Sequence, residues 1–320
     1  MEMEKGCAMI EILMATYNGE GYLQEQLESI EKQTHREWHL TVHDDGSTDR
    51  TWQILEDFQK RMGEKKVFLQ KNVPPTGSAK KNFIGLLQNC DSPYMMCCDQ
   101  DDVWHSDKVE KTFHRMKQME RKYGKDIPLL VHTDLRVVDE NLNCIHPGFH
   151  EYMNLETRGY LRHELIQNQV TGCTVMINQK LKTYVNQVSC PDKILMHDHW
   201  LALTALVFGK MSYLKEATID YRQHGDNSVG AQNAKSFEYR WMRFRRGRKK
   251  FRQDMGESTE QVLYFTRLYA TCINDKKMLK VLNEYAFLYK KNKITRIFYF
   301  FCDGFWKRGT VRKIMQIIWG

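Results

Sequence analysis

The sequence predicts an α/β fold: a sheet covered by helices on both faces fills most of the chain, and a mainly helical, basic region closes it. Three observations predict it. Short apolar runs alternate with amphipathic stretches through the first hundred residues, a polar cluster follows most of those runs, and the charge balance changes sign near residue 232.

The elements follow in order. "MIEILMATYN" (9–18) is an apolar run ending in polar residues, and "GEGYLQEQLESIEKQ" sets Tyr22, Leu23, Leu27 and Ile30 near helical spacing. The pair reads as strand, loop, helix. "WHLTVHDDGSTDRTWQILEDFQKRM" repeats that order: an alternating strand to Val42, an acidic turn, and a helix offering Trp52, Ile54, Leu55 and Phe58. "KVFLQKN" is a third strand, "GSAKKNFIGLLQNC" a third helix and "PYMMCC" a fourth strand. Such alternation implies parallel pairing through right-handed crossovers. Ligands of such sheets bind beyond the carboxyl ends of the strands. The polar clusters at 16–18, 44–49 and 99–102 all fall there, so they are expected to converge on one crevice. Past residue 125 the pattern is mixed, with "PLLVHTDLRVVDE" and "GCTVMIN" as strands and "DHWLALTALVFG" as a helix. From 233 onward Arg and Lys interleave with Trp, Phe and Tyr, and helices are expected.

At 320 residues and 42% hydrophobic content the chain can bury a real core. No apolar stretch is long enough to span a bilayer, and "MEMEKGCAMIEILMATYN" lacks the basic, apolar, small-residue order of a secretory signal, so a cytoplasmic address is expected. Nine cysteines without a repeated spacing suggest reduced thiols, neither a disulfide framework nor a zinc site. Residues 1–232 carry a net charge of −6 and residues 233–320 one of +14, which divides the chain into domains 1–232 and 233–320.

"CCDQDDVWHSDK" places Asp99, Asp101 and Asp102 within four positions, and like charges that close need a cation among them. A helix-capping acidic turn is one explanation. A calcium loop is a weak one, because the turn glycine is missing. The third is Mg²⁺ or Mn²⁺ held by one or two carboxylates, with water and substrate phosphates completing the shell. "HDDGSTD" is ordinary turn chemistry alone, but beside a metal site Asp44 or Asp45 could accept a base imide N–H or a ribose hydroxyl. Together the clusters imply a nucleotide and a divalent metal at one sheet edge.

"ILMATYNGEGYLQEQLESIEKQTHREWHLTVHDDGSTDRT", followed some fifty residues later by "CCDQDDVWHSDK", resembles the nucleotide-sugar half of the family 2 inverting glycosyltransferases, which have the GT-A fold. The match covers residues 8–110 and extends to about 232, with 111–232 as the acceptor half. "CDQDDVW" is similar to the branch holding rhamnosyltransferases of bacterial surface polysaccharides. The resemblance implies that Thr16, Tyr17 and Asn18 line the nucleotide pocket and that Asp44 or Asp45 contacts the base. It places Asp99 near the ribose, with Gln100 in the donor group, and makes Asp101 the metal ligand. Lys80 and Lys81 stand where an Arg is often found, as phosphate contacts or as a solvated face.

The resemblance further implies a carboxylate base at the start of a helix in the second half. "LMHDHWLALTAL" supplies Asp198, with His197 in place of the family's first acidic residue and able to tune its charge. Thr171 and Gly172 would let backbone approach a sugar. His224, in the loop 221–230, would complete the metal shell or touch diphosphate. The expected reaction moves a sugar from a nucleoside diphosphate, dTDP-rhamnose or a UDP-sugar, to a glycan or lipid-linked acceptor, with Mn²⁺ or Mg²⁺. The stretches 241–252 and 294–319 suit an anionic membrane surface, which would set the protein at the inner face of the plasma membrane. Two rival readings are a metal-dependent nucleotidyltransferase and a non-catalytic membrane- or nucleic-acid-binding protein. The acidic first 232 residues speak against a polyanion as partner.

Overall fold

The structure is a computed structural model that describes residues 8–224 and the backbone from 237 to 320, with side chains in that second stretch from 247 onward. The alternation seen in the sequence is realised as β1 (Ile10–Thr16), α1 (Leu23–Glu31), β2 (Trp38–Asp44), α2 (Thr51–Met62), β3 (Val67–Lys71), α3 (Ala79–Asn89) and β4 (Tyr94–Cys98). Next come β5 (Val103–Trp104), α4 (Lys108–Tyr123), β6 (Leu129–Val138), β7 (Cys144–His146), α5 (Phe149–Tyr152), α6 (Leu161–Ile166), β8 (Val175–Asn178) and α7 (Gln179–Val185). The chain continues through α8 (His197–Phe208), β9 (Lys210–Arg222), α9 (Phe237–Leu268), α10 (Lys276–Ala286), α11 (Lys293–Asp303) and α12 (Thr310–Trp319).

One sheet runs in the order β3-β2-β1-β4-β8-β6-β9-β5, with β7 paired to β6. Its first four strands are parallel, as expected, and Thr16 at the end of β1 is level with Asp44 at the end of β2. The carboxyl ends of β1, β2 and β4 therefore open on the same edge. Beyond β4 the sheet is mixed: β8 is antiparallel to β4 and β6, whereas β9 runs parallel to β6 and antiparallel to β5. The parallel run of β6 against β9 carries the chain back to the same edge, where Val138 pairs with Arg222.

The sheet separates two apolar layers. One holds Ile12, Trp38, Val42 and Val131. The other joins Phe83 and Leu87 of α3 and Trp200 of α8 to Phe265, Tyr285, Phe300 and Trp319 of the C-terminal helices. The basic region thus shares a core with the sheet domain; the boundary expected at 232/233 lies outside the described residues. No strand follows β9 among the described residues. No helix is long and apolar enough to cross a membrane, and the cysteines are free thiols, in both cases among the described residues.

Candidate active site

The strand-end clusters meet as their spacing requires. Thr16 Oγ1 donates to Asp44 Oδ1 at 3.0 Å, Asn18 N to Ser47 Oγ at 2.9 Å, and Thr48 N to Asn18 Oδ1 at 2.9 Å. Asn18 takes the left-handed conformation, φ 46°, that Asn tolerates better than most residues. Gln100 reaches the same turn from β4: its Oε1 accepts from Tyr17 N at 2.8 Å and its Nε2 donates to Tyr17 O at 2.9 Å. A Cβ on Gly19 would fall 2.5 Å from Gln100 Oε1, so this latch requires glycine there.

Asp44 and Asp45 are both buried, and each spends four lone-pair positions inside the protein. Asp44 accepts from Thr16 Oγ1, Ser47 Oγ, Gly46 N and Ser47 N. Asp45 accepts from Asn72 Nδ2, Thr76 N, Thr76 Oγ1 and Gly77 N. These bonds outweigh the cost of burial and hold Asp45 below the usual carboxylate range. The acidic turn frames the site: of the predicted nucleotide contacts, Thr16 bonds Asp44 and Asp45, Asn18 bonds Ser47 and Thr48 of the turn, and Gln100 bonds the Tyr17 backbone, while Tyr17 itself is 58% exposed.

The carboxylates behind β4 divide by depth. Asp101 Oδ2 lies 2.9 Å from His224 Nε2, just beyond β9. Asp99 is partly exposed; loss of hydration, with Asp101 and Asp198 nearby, pushes it up to about 7. Asp102 is fully buried beneath them and is pushed well above the usual carboxylate range, first by burial and then by Asp101 and Asp99. Oxygens of Asp99 and Asp102 and Sγ of Cys173 lie within 4.8 Å of one another.

Two buried cations sit among them, Lys108, which the sequence did not mark, and Arg222, which the sequence places in the polar stretch 221–230 and the structure at the end of β9. Lys108 is fully buried, with Nζ 4.6 Å from the Trp104 ring centroid and no hydrogen-bond partner; burial pulls it down to about 8 against the pull of Cys173, Cys98 and Asp102. Arg222, also buried, donates from Nε to Asp101 O at 3.0 Å and from its backbone N to Asp102 Oδ1 at 3.2 Å. Its guanidinium also bonds Glu25 and the Glu140 carbonyl and lies over the Tyr22 ring. Of the predicted metal residues, Asp101 and His224 are in contact and offer a carboxylate oxygen and an imidazole nitrogen, ligand types that Mn²⁺ accepts, whereas Asp99 clusters with Asp102 and Cys173. Asp102, capped by Arg222 and turned toward Cys173, belongs to the floor below it.

The second half of the chain brings Asp198 to the same place. It is the second residue of α8, whose cap is Met196, and it is buried. Its Oδ1 accepts from Asn168 Nδ2 at 2.9 Å and from His199 N at 2.6 Å. Burial raises Asp198 to about 6, and these bonds, with one from the Gly172 backbone, limit the rise. A Cβ on Gly172 would lie 2.6 Å from His197 Nε2 and 3.8 Å from Asp198 Oδ2, so the backbone there packs against these two side chains. His197 is buried and stacked on Phe83 at 4.1 Å between ring centroids, with both ring nitrogens unpartnered; burial lowers it to about 3. It is a neutral wall.

The start of α8 is held from two sides. Lys80 Nζ donates to Ile194 O at 2.5 Å, and Lys81 pairs with Asp192 at 2.8 Å, so both lysines tether the loop leading into the helix. From α9, the buried Gln261 accepts from Leu195 N at 2.7 Å and bonds His199 Nδ1 at 3.0 Å. Gln261 carries no motif, and only its partners reveal it.

Residues 11–124 match the family model described as glycosyl transferase family 2. A dTDP-rhamnosyl transferase, RfbG of Shigella flexneri, is 28% identical over 71% of this chain and 77% of its own length. A putative teichuronic acid biosynthesis glycosyltransferase, TuaG of Bacillus subtilis, is 24% identical over 74% of this chain and 87% of its own. Among solved structures, TarS 1–349 of S. aureus in complex with UDP-GlcNAc superimposes with a TM-score of 0.57 at 16% identity, covering 91% of this chain and 75% of that one. That last likeness is one of fold.

Proposed function

The chain is a glycosyltransferase with a family 2 domain of the GT-A type, and from that premise we propose that it transfers a sugar, with inversion, from a nucleoside diphosphate to a hydroxyl of a glycan or lipid-linked acceptor. One observation carries the proposal. Cys173 Sγ lies within 4.8 Å of carboxylate oxygens of Asp99 and Asp102, and a Cβ on the adjoining Gly172 would lie 3.8 Å from Asp198 Oδ2, so the candidate base from the second half of the chain stands beside the carboxylates behind β4.

In this reading the exposed ring of Tyr17 stacks on the base, on the frame made by Thr16, Asn18, Asp44, Asp45 and Gln100. Asp101 and His224 would hold Mn²⁺ or Mg²⁺, which when bound would supply positive charge for the leaving diphosphate. Asp198 takes the acceptor proton from the face opposite the diphosphate, and Asn168 and the Gly172 backbone hold its carboxylate in place. Lys80 and Lys81 act through the 192–194 loop and not on phosphate. The relative named as a dTDP-rhamnosyl transferase favours dTDP-rhamnose as donor, and the one named for teichuronic acid favours a surface polysaccharide as product.

A melting-temperature screen of dTDP-, UDP- and GDP-sugars with Mn²⁺ or Mg²⁺, followed by NMR of the anomeric proton after transfer, tests this. A donor that raises the melting point only with metal and yields the inverted anomer supports it. Release of pyrophosphate from nucleoside triphosphates in place of nucleoside diphosphate from the donor overturns it.

A further inference from the structure

The last two helices turn large apolar side chains to solvent. On α11 these are Ile294 (82% exposed), Phe298 (61%) and Phe301 (65%), and on α12 Ile314 (50%) and Ile318 (51%). Positions 294, 298 and 301 follow the i, i+4, i+7 spacing of one helix stripe, and 314 and 318 that of another. Phe300, Met315 and Trp319 on the same helices are buried, so the fold has already used their inner faces.

The two helices lie together. Lys293 Nζ donates to Ile318 O at 2.9 Å, and Arg296 Nε and Nη2 donate to Gly320 O at 3.0 and 2.6 Å. The start of α11 therefore meets the end of α12. Apolar groups concentrated on neighbouring exposed faces mark an interaction surface.

Charge selects the partner. Residues 286–320 hold eight Lys and Arg against one acidic residue, Asp303, which lies 3.4 Å from Arg162. A second copy of the chain meeting this face about a twofold axis would oppose cation to cation. An anionic lipid surface takes both components: cations near the headgroups gain electrostatic attraction, and the apolar stripe enters the boundary with the acyl chains.

We infer that α11 and α12 form an in-plane docking face for an anionic membrane, with Ile294, Phe298 and Phe301 as its inserted edge. Of the other basic stretch, 241–252, the side chains of 241–246 lie outside the described residues, and Phe251 is buried, its ring centroid 6.0 Å from that of Trp319. The inference does not depend on the chemistry assigned to the active site.

The test is flotation of the full chain with vesicles of mixed phosphatidylglycerol and phosphatidylcholine, and with pure phosphatidylcholine, at low and high salt. Binding to the anionic vesicles is expected, weaker by about tenfold or more on the neutral ones or at high salt. The double substitution Phe298→Glu/Phe301→Glu is expected to cut binding by a similar factor while the circular dichroism melt stays unchanged. Failure of the wild-type chain to bind anionic vesicles at low salt overturns the inference, and so does undiminished binding by the double variant. A dimer in sedimentation equilibrium that the same two substitutions dissociate assigns the face to a second copy and overturns it as well.

Discussion

His224 Nε2 sits 2.9 Å from Asp101 Oδ2 across 123 positions of sequence, brought there because β9 runs parallel to β6 and ends beside the loop that follows β4. A carboxylate oxygen and an imidazole nitrogen in contact at a sheet edge are two atoms of the types that ligate divalent ions.

Removing either partner is therefore expected to weaken metal. Asp101→Ala abolishes turnover and metal-dependent donor binding with the melting curve retained. His224→Ala raises the Mn²⁺ concentration for half-maximal activity by about tenfold or more, in the range that loss of a metal-site group costs. Titration calorimetry with Mn²⁺ and nucleoside diphosphate measures both, and unchanged metal affinity in His224→Ala removes it from the site.

Much of this arrangement was legible in the sequence. The alternation of β1 to β4 with their helices, and the polar clusters behind β1, β2 and β4, follow from periodicities that local side-chain patterns dictate. The 13-residue β9 was not foreseen, because "KMSYLKEATIDYR" alternates only at its end and gains its partners from two strands far away. Lys108 was equally hidden, as was the burial of Arg222, a residue that reads as part of a polar loop: a charged residue is buried only where distant groups compensate it, and those groups are set by topology. Asp44 and Asp45 show the converse. Their motif was plain, but the nearest use of their oxygens is to tie down the turn and the 76–77 loop.

Tyr17 offers the one large exposed ring of the nucleotide frame. Loss of a base stacked on it is worth about 1–3 kcal/mol. Tyr17→Ala is expected to raise the donor KM by roughly tenfold with kcat little changed, and Tyr17→Phe to behave as wild type. Steady-state kinetics at saturating acceptor decides it.

Gly172 makes a structural prediction with a built-in control. Its Cβ would press on His197 Nε2 at 2.6 Å and Cε1 at 2.9 Å, and His197 cannot retreat because Phe83 is stacked on its ring. Gly172→Ala is expected to cost about 1–3 kcal/mol of stability, as overpacked cores do, and to displace Asp198. His197→Ala opens the space, so the double variant recovers part of the loss. Additive effects in a denaturant double-mutant cycle contradict the contact.

Asp198 links pH, stability and rate. A base works ionised, and burial raises Asp198 to about 6, so transfer is expected to rise with pH through about 6 and then level. The same shift acts on stability. An unfolded Asp titrates near ~3.9. Between there and about 6 the folded chain holds the proton more firmly than the unfolded one, so stability is lost as pH rises through that window, by about 1–3 kcal/mol once the group is ionised. Asn keeps the acceptor oxygen that Asn168 and His199 N use, and it carries no charge to bury. Asp198→Asn is thus expected to bind donor and metal within a few-fold of wild type, to melt higher above pH 7, and to transfer sugar roughly 10²–10⁴ times more slowly. A residue that only secured the helix would lose stability and keep its rate. Calorimetry at pH 5 and pH 8 with single-turnover transfer at both separates the two: a variant that transfers at the wild-type rate means that another group takes the proton, and one that loses donor binding as well puts Asp198 in the nucleotide site.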